Sequence, residues 1–414
     1  EIIAGDWSSD VCSSDLTTTP KGDNGLAQGS STETFNKATA PHSGRLLSLD
    51  LLRGADLALL VLFQPIIYQW VEASEPTPGS FGEMVFGQIT HVPWEGFCFW
   101  DIIMPLFMFM SGITIPFSMG KYQQGKVKAD KGFLWRLLKR FVVLWVLGMI
   151  AQGNLLSFDP RLIHLYSNTL QSIAVGYVVV ALLFVYTSWR TQLAVVMACL
   201  VGYVAVFAIW GQMDFTIDAN ICEEIDRQVL GHWRDGVLWK GDNWYWDDSY
   251  HYTWILSSLN FVVTVYLGCV AGMILRMKLQ DLKKVRILLF SGVTLIVLSF
   301  LLHPVVPIIK HIWSTSMTFL SGGICLLLIA LAYYWVDIKG KTKGIMWLRF
   351  YGANSLVAYM VGDHVDFSSI TNSIFYGFQP LLGNYYDVLE ASVQGIIVLL
   401  ILRWMYHSNI FIKA

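Results

Sequence analysis

The chain has 414 residues, 55% of them hydrophobic and only 14% charged, with a formal net charge of −2 and a mean hydropathy of +0.51. Soluble domains carry about 25% charged residues, so the composition excludes an ordinary soluble globule and points to a membrane protein. The net charge carries no signal for nucleic acid, and no such partner is expected.

Residues 1–16 stand apart. Asp6–Leu16, DWSSDVCSSDL, reads as the translation of a common sequencing-adapter oligonucleotide, so this stretch says nothing about the fold and is set aside. Residues 17–44 are rich in Thr, Ser, Gly, Asn and Ala. Such a segment buries too little apolar surface to offset its ordering entropy, and a disordered tail is expected.

A spanning helix needs roughly 20 mostly apolar residues. Ten segments qualify as candidates: 52–71, 97–119, 134–153, 164–186, 192–211, 254–275, 287–305, 313–335, 350–367 and 388–406. The expectation is therefore an all-α polytopic membrane protein, a single domain over residues 45–414. The third and ninth segments are the weakest. Gln152, Gly153 and Asn154 crowd the end of one, and Asp363, His364 and Asp366 interrupt the other.

Basic residues set the orientation, because cytoplasmic loops carry an excess of Lys and Arg. Lys121, Lys126, Lys128, Lys131, Arg136, Lys139 and Arg140 fall in 120–140; Arg276, Lys278, Lys283, Lys284 and Arg286 in 276–286; Lys339, Lys341, Lys343 and Arg349 in 336–349. The alternate loops 72–96 and 368–387 contain neither Lys nor Arg. Both termini are expected on the cytoplasmic side, with His91 at the outer face. The long outer loop 212–253 carries Trp233, Trp239, Trp244, Trp246, Tyr245, Tyr250 and Tyr252. These aromatics suit an interfacial belt and equally a rim on which sugar rings stack. No cysteine pair or CxxC spacing suggests a disulfide framework or a zinc site, and no metal is expected.

The densest chemistry lies in His91–Ser118, HVPWEGFCFWDIIMPLFMFMSGITIPFS. An acid inside an apolar span is costly and marks a functional site by default. Asp101 is such an acid, although a structural bond to a backbone group or an Arg would also account for it. Ten residues of straight helix would hold it about 15 Å from His91. Pro93 and Gly96 predict a turn before the helix, which folds His91 back over Asp101.

The positions His91, Trp94, Gly96, Asp101, Pro105 and Gly112 resemble the H-x-x-W-x-G, D-x-x-x-P, G segment of the heparan-alpha-glucosaminide N-acetyltransferase family and its bacterial members. Further matching elements follow in order: Arg45–Gly54, with Asp50 and Arg53; Leu170 and Gln171 with Tyr177; Ile225, Asp226 and Arg227; Trp254 to Gly272; Lys310, Trp313, Ser314 and Ser316 as K-x-x-W-S-x-S; and Gly352, Asn354, Ser355 and Tyr359 as G-x-N-S-x-x-x-Y. Two positions depart from the pattern. Gln64 stands where a lysosomal member carries an asparagine near the histidine, and Ser172 follows Leu170–Gln171 where Arg is common.

The resemblance implies acyl transfer from cytoplasmic acetyl-CoA to an extracytoplasmic sugar amine or hydroxyl, by a homodimer in a bacterial inner membrane. Histidine titrates near neutrality, so His91 suits a general base or acyl carrier, with Asp101 orienting it. Gln64, Asn260 and Asn354 are amides able to receive an oxyanion or to bond helix to helix. Trp94, Ser355, Asp363 and His364 are further acceptor-side candidates. Arg53, Lys139, Arg140, Lys283, Arg286 and Trp313 are candidates for the coenzyme, the basic ones also setting orientation. The rival reading is a proton-coupled transporter relaying through Asp101, Asp363 and His364.

Overall fold

The computed structural model describes residues 46–123 and 129–412. The adapter-like start, the tail to residue 44, Arg45, Lys126 and Lys128 lie outside the described residues. The described chain is about 71% helical, with almost no sheet.

Leu47–Ala58 (α1) runs through a π turn at Leu59–Phe63 into Gln64–Ala73 (α2). Pro65 has no N–H to continue the ladder, and the π turn just before it takes up the misfit. Phe81–Ile89 (α3) follows, capped by the Ser80 hydroxyl. A 3₁₀ turn, Phe99–Ile102, leads into Ile103–Met119 (α4). Next come Lys131–Ala151 (α5), Thr169–Tyr186 (α6) and Trp189–Ile209 (α7). The 212–253 loop holds Ile221–Leu230 (α8) and a hairpin of Val237–Lys240 (β1) with Asn243–Trp246 (β2), antiparallel with Val237 opposite Trp246. Ser257–Arg276 (α9), Asp281–Leu302 (α10) and Thr315–Ala332 (α11) complete the centre. Leu348–Ala353 (α12), Ser355–His364 (α13), Ser368–Phe375 (α14), Gln379–Leu382 (α15) and Tyr386–His407 (α16) close the chain.

Eight helical segments among the described residues are long and apolar enough to cross a membrane. The other two of the ten expected spans fall short for separate reasons. α5 has the length, but Arg136, Lys139 and Arg140 lie within it. The 350–367 stretch breaks at Asn354, whose backbone is non-helical, into helices of 6 and 10 residues.

α4 and α9 are the central pair. At Gly112 of α4 a Cβ would overlap the Val265 carbonyl oxygen, and at Gly268 of α9 it would overlap that of Phe109. Small residues let the two backbones touch, the usual device where lipid removes the hydrophobic drive between helices. Around this pair Met108, Val180, Val265, Cys269 and Phe184 form one buried apolar cluster, and Phe109, Met110, Ile113, Leu288 and Ile329 another. α4 is thereby fixed against α9, and Asp101 at its entrance is held in place.

Candidate active site

The turn before α4 comes first. Gly96 has φ +127°, a region that side chains disfavour. Its N–H donates to the Ile308 carbonyl at 2.8 Å, and Glu95 pairs with Ile309 in an isolated antiparallel bridge. The 91–98 segment is thus laid along 308–311, the stretch between α10 and α11. Asp101 closes the turn from inside, its Oδ2 accepting the Cys98 N–H at 3.1 Å. The result is that His91 Nδ1 lies 2.9 Å from Asp101 Oδ1.

The same pairing brings in Lys310, whose Nζ is 3.2 Å from Asp101 Oδ1, 2.8 Å from His91 Nδ1 and 3.2 Å from His91 Nε2. Asp101 and Lys310 are the buried members, with side chains 1% and 7% exposed, while His91 is 41% exposed. His91 therefore faces outward with an anion and a cation behind it. Nδ1 cannot donate to Asp101 and accept from Lys310 at once. With Nδ1–H on Asp101, Lys310 bonds Asp101 and also lies within donor reach of the Nε2 lone pair, at 3.2 Å. With Lys310 donating to Nδ1, the ring proton moves to Nε2.

Burial lowers the His91 pKa below the ordinary histidine value; Asp101 opposes this and Lys310 adds to it. Lys310 is also lowered, by burial first, with Asp101 pulling it back up. The neighbouring His311 is pushed down to about 4 by burial, then by Lys310 and His91, so it stands neutral.

Aromatic rings wall the cluster. The Trp94 indole N–H donates to the Phe215 carbonyl at 2.9 Å, and its ring stacks on His311 at 5.6 Å and meets His251 edge-on at 5.9 Å. Tyr252 packs on His311 at 4.3 Å. The 212–253 loop is pinned from within. Glu223 accepts from Arg227 and from the fully buried Arg234, at 2.9 and 3.1 Å, and His251 Nδ1 lies 3.4 Å from its other oxygen. Asp226 holds the turn that leads into α9, accepting the Trp254 and Ile255 N–H groups at 2.7 and 2.9 Å. The I-D-R element thus anchors the loop beside the cluster.

Other sequence-derived candidates lie elsewhere. Asn260 donates to the Trp313 carbonyl at 2.8 Å, and the Trp313 indole donates to Thr264 at 3.2 Å. Trp313 follows Lys310 closely, so it sits at the His91 end of the bundle. Lys283 and Arg286 are at the far end of α10, about 30 Å of helix away. Arg140 lies midway along α5, its guanidinium 3.8 Å above the Tyr177 ring, while Lys139 is exposed. Arg53 is half-buried in α1. Asn354 donates to the Ile410 carbonyl and accepts the Ile412 N–H, both at 3.0 Å, so its amide fastens the C-terminal segment. Ser355 opens α13 beside it. Asp363 and His364 lie 3.6 Å apart at the other end of α13, next to Tyr359. Neither they nor Gln64 bonds to His91 among the described residues. Asp56, an intramembrane acid with both carboxylate oxygens buried and without a hydrogen bond, also stays outside the cluster.

No family model matches the chain. Two curated relatives do: the heparan-alpha-glucosaminide N-acetyltransferase of Mus musculus, 24% identical over 433 aligned positions and 90% of this chain, and that of Homo sapiens, 24% identical over 89% of it. The chain is thus similar, at low identity, to heparan-alpha-glucosaminide N-acetyltransferases. It spans 61% and 60% of the length of these two relatives. The alignment runs across nearly the whole chain, as do the family-like elements, and the His91 to Ser118 segment is where those elements meet a built cluster.

The sequence reading missed Lys310 as a site residue. It appears there only as the first letter of K-x-x-W-S-x-S. A signal did exist: Lys310 is the sole Lys or Arg in the 303–314 connection, which the charge pattern assigns to the non-basic side.

Proposed function

We propose that the protein is a transmembrane acetyltransferase moving an acetyl group from cytoplasmic acetyl-CoA to an extracytoplasmic sugar amine or hydroxyl. The observation that carries this reading is the His91–Asp101 pair, a half-exposed imidazole held 2.9 Å from a buried carboxylate at the end of a spanning helix. The relatives' name, N-acetyltransferase of a glucosaminide, supplies the reaction class.

In this scheme Asp101 accepts the Nδ1–H, which leaves His91 Nε2 as the base that takes a proton from the acceptor. The carboxylate then stabilises the imidazolium. Trp94 and the 212–253 aromatics form the acceptor's entrance. The coenzyme's phosphates sit at the opposite mouth near Lys283 and Arg286, with Arg140 and Arg53 along the way inward. The protein works as a homodimer in a bacterial inner membrane, both termini cytoplasmic.

Acetyl-CoA should raise the Tm of the detergent-purified protein by several degrees, since a ligand of the native state stabilises it by mass action. A labelled acetyl group should then appear on a hexosamine-bearing oligosaccharide. No shift and no transfer at millimolar acetyl-CoA would overturn the reading.

A further inference from the structure

Lys310 is the one member of the cluster that the acid–base scheme leaves unemployed. Its ammonium lies at hydrogen-bond distance from both ring nitrogens of His91 and from Asp101, on the buried side of the imidazole. The groups facing it are Asp101, His91, Cys98 and, beyond them, His311 and Tyr252. Asp101 is the only carboxylate among them.

The charge count is informative. At rest the Asp101 carboxylate and the Lys310 ammonium cancel, and His91 is neutral. If His91 takes the acceptor's proton, a second positive charge appears with only one carboxylate to meet it, which is costly in a desolvated site. That excess disappears if an anion forms at the same moment next to Lys310. Acyl transfer creates such an anion on the thioester oxygen.

We propose that Lys310 is a catalytic residue whose ammonium receives the oxyanion of the tetrahedral intermediate; this rests on the acyl-transfer reading above. The acceptor nitrogen attacks the thioester carbon, a C–N bond forms, and the C=O π pair moves to oxygen beside Lys310. His91 Nε2 takes the nitrogen's proton, and Asp101 turns from balancing Lys310 to balancing the imidazolium. The intermediate then collapses, the C–S bond breaks, and the thiolate takes the proton back from His91. Products are the acetamide and free coenzyme A thiol, and Lys310 keeps its proton throughout. Position agrees with role. His91 is half-exposed, whereas Lys310 is buried behind it. Oxyanion donors are placed where charge develops, in sites closed to water.

The test compares wild type, Lys310→Gln and Lys310→Arg for transfer, for the acetyl-CoA-induced Tm shift and for the pH profile of kcat. Gln keeps a hydrogen-bonding amide but removes the charge that pairs with Asp101. Transfer by Lys310→Gln should fall by roughly 10²–10³-fold, the usual cost of a lost oxyanion donor, with the Tm shift retained. Lys310→Arg should stay within about tenfold of wild type and push the alkaline limb of the profile to higher pH, as a guanidinium does not deprotonate. Lys310→Gln within a factor of about ten of wild type overturns the proposal. So does Lys310→Arg falling as far as Lys310→Gln, because that result assigns Lys310 a proton-transfer or packing role. If the Gln variant does not fold, Lys310→Arg decides alone, and transfer lower than wild type by roughly 10²-fold or more overturns the proposal. A wild type that transfers nothing removes the acyl-transfer reading and this inference with it, an outcome read separately in the wild-type arm.

Discussion

Asp101 lies 3.2 Å from Lys310, and both side chains are almost wholly buried. Breaking a buried pair from one side strands a charge, which typically costs about 3–5 kcal/mol, whereas removing both partners is often neutral. Asp101→Asn should therefore lower the Tm sharply, and Asp101→Asn combined with Lys310→Met should recover most of it. Both should transfer acetyl groups far more slowly than the wild type. Thermal unfolding of the single and double variants checks this; a double variant no more stable than Asp101→Asn would mean that the pair is not the source of the loss.

His91→Ala separates binding from chemistry. The imidazole faces outward from the cluster, and its removal leaves the Asp101–Lys310 pair intact. The variant should fold, insert and keep the Tm shift with acetyl-CoA, yet lose transfer by roughly 10²–10⁴-fold, the usual share of a general base. Turnover and acetyl-CoA affinity measured side by side decide it. Transfer surviving within a factor of about ten would remove the proton-transfer role from His91.

Much of this site was legible in the primary structure because its first half is local. Pro93 and Gly96 announce the turn, and a ten-residue separation is short enough for sequence reasoning to close onto Asp101. Lys310 was not legible in that way. Its contact with His91 spans 219 positions and depends on the pairing of 91–98 with 308–311, and periodicity carries no information about such a pairing. Asn354 shows the same limit from the other side. An intramembrane amide is visible in the sequence, but its bonds to Ile410 and Ile412 exist only because the chain end folds back onto it. Hydropathy gave ten candidate spans, eight of which match long apolar helices among the described residues; the other two fail at α5 and at the Asn354 break, where charge and backbone geometry interrupt the apolar run.

The I-D-R element yields a stability prediction. Asp226 satisfies two backbone N–H groups in the turn just before α9. Asp226→Ala leaves both donors buried without a partner, at about 1–3 kcal/mol each. The expected result is a clear fall in Tm and faster proteolysis within 212–253, with the acetyl-CoA-induced shift still present in the folded fraction. An unchanged Tm would show that these two bonds contribute nothing.

Sidedness follows from the charge pattern. A reporter fused after Ala414 should read cytoplasmic, and one inserted in the β1–β2 hairpin should read extracytoplasmic. The reverse result would place His91 on the coenzyme's side of the membrane and break the transfer scheme.

The pH profile links His91 to its neighbours. Burial, helped by Lys310 and opposed by Asp101, holds the imidazole below its ordinary pKa. A base works in its neutral form, and a lowered pKa keeps it neutral to more acidic pH. Transfer should therefore persist below pH 6.5 and decline only as the pH falls through the lowered value. Lys310→Gln removes one cause of the lowering, so the acid limb of its residual activity should move to higher pH. Asp101→Asn removes the opposing cause and should move that limb lower. The kcat profiles of the three proteins from about pH 4.5 to about pH 9, a range that brackets histidine titration, test both signs together. Acid limbs that do not move in opposite directions would show that His91 does not titrate under the joint control of Lys310 and Asp101, and the group that controls the limb would then lie outside this cluster.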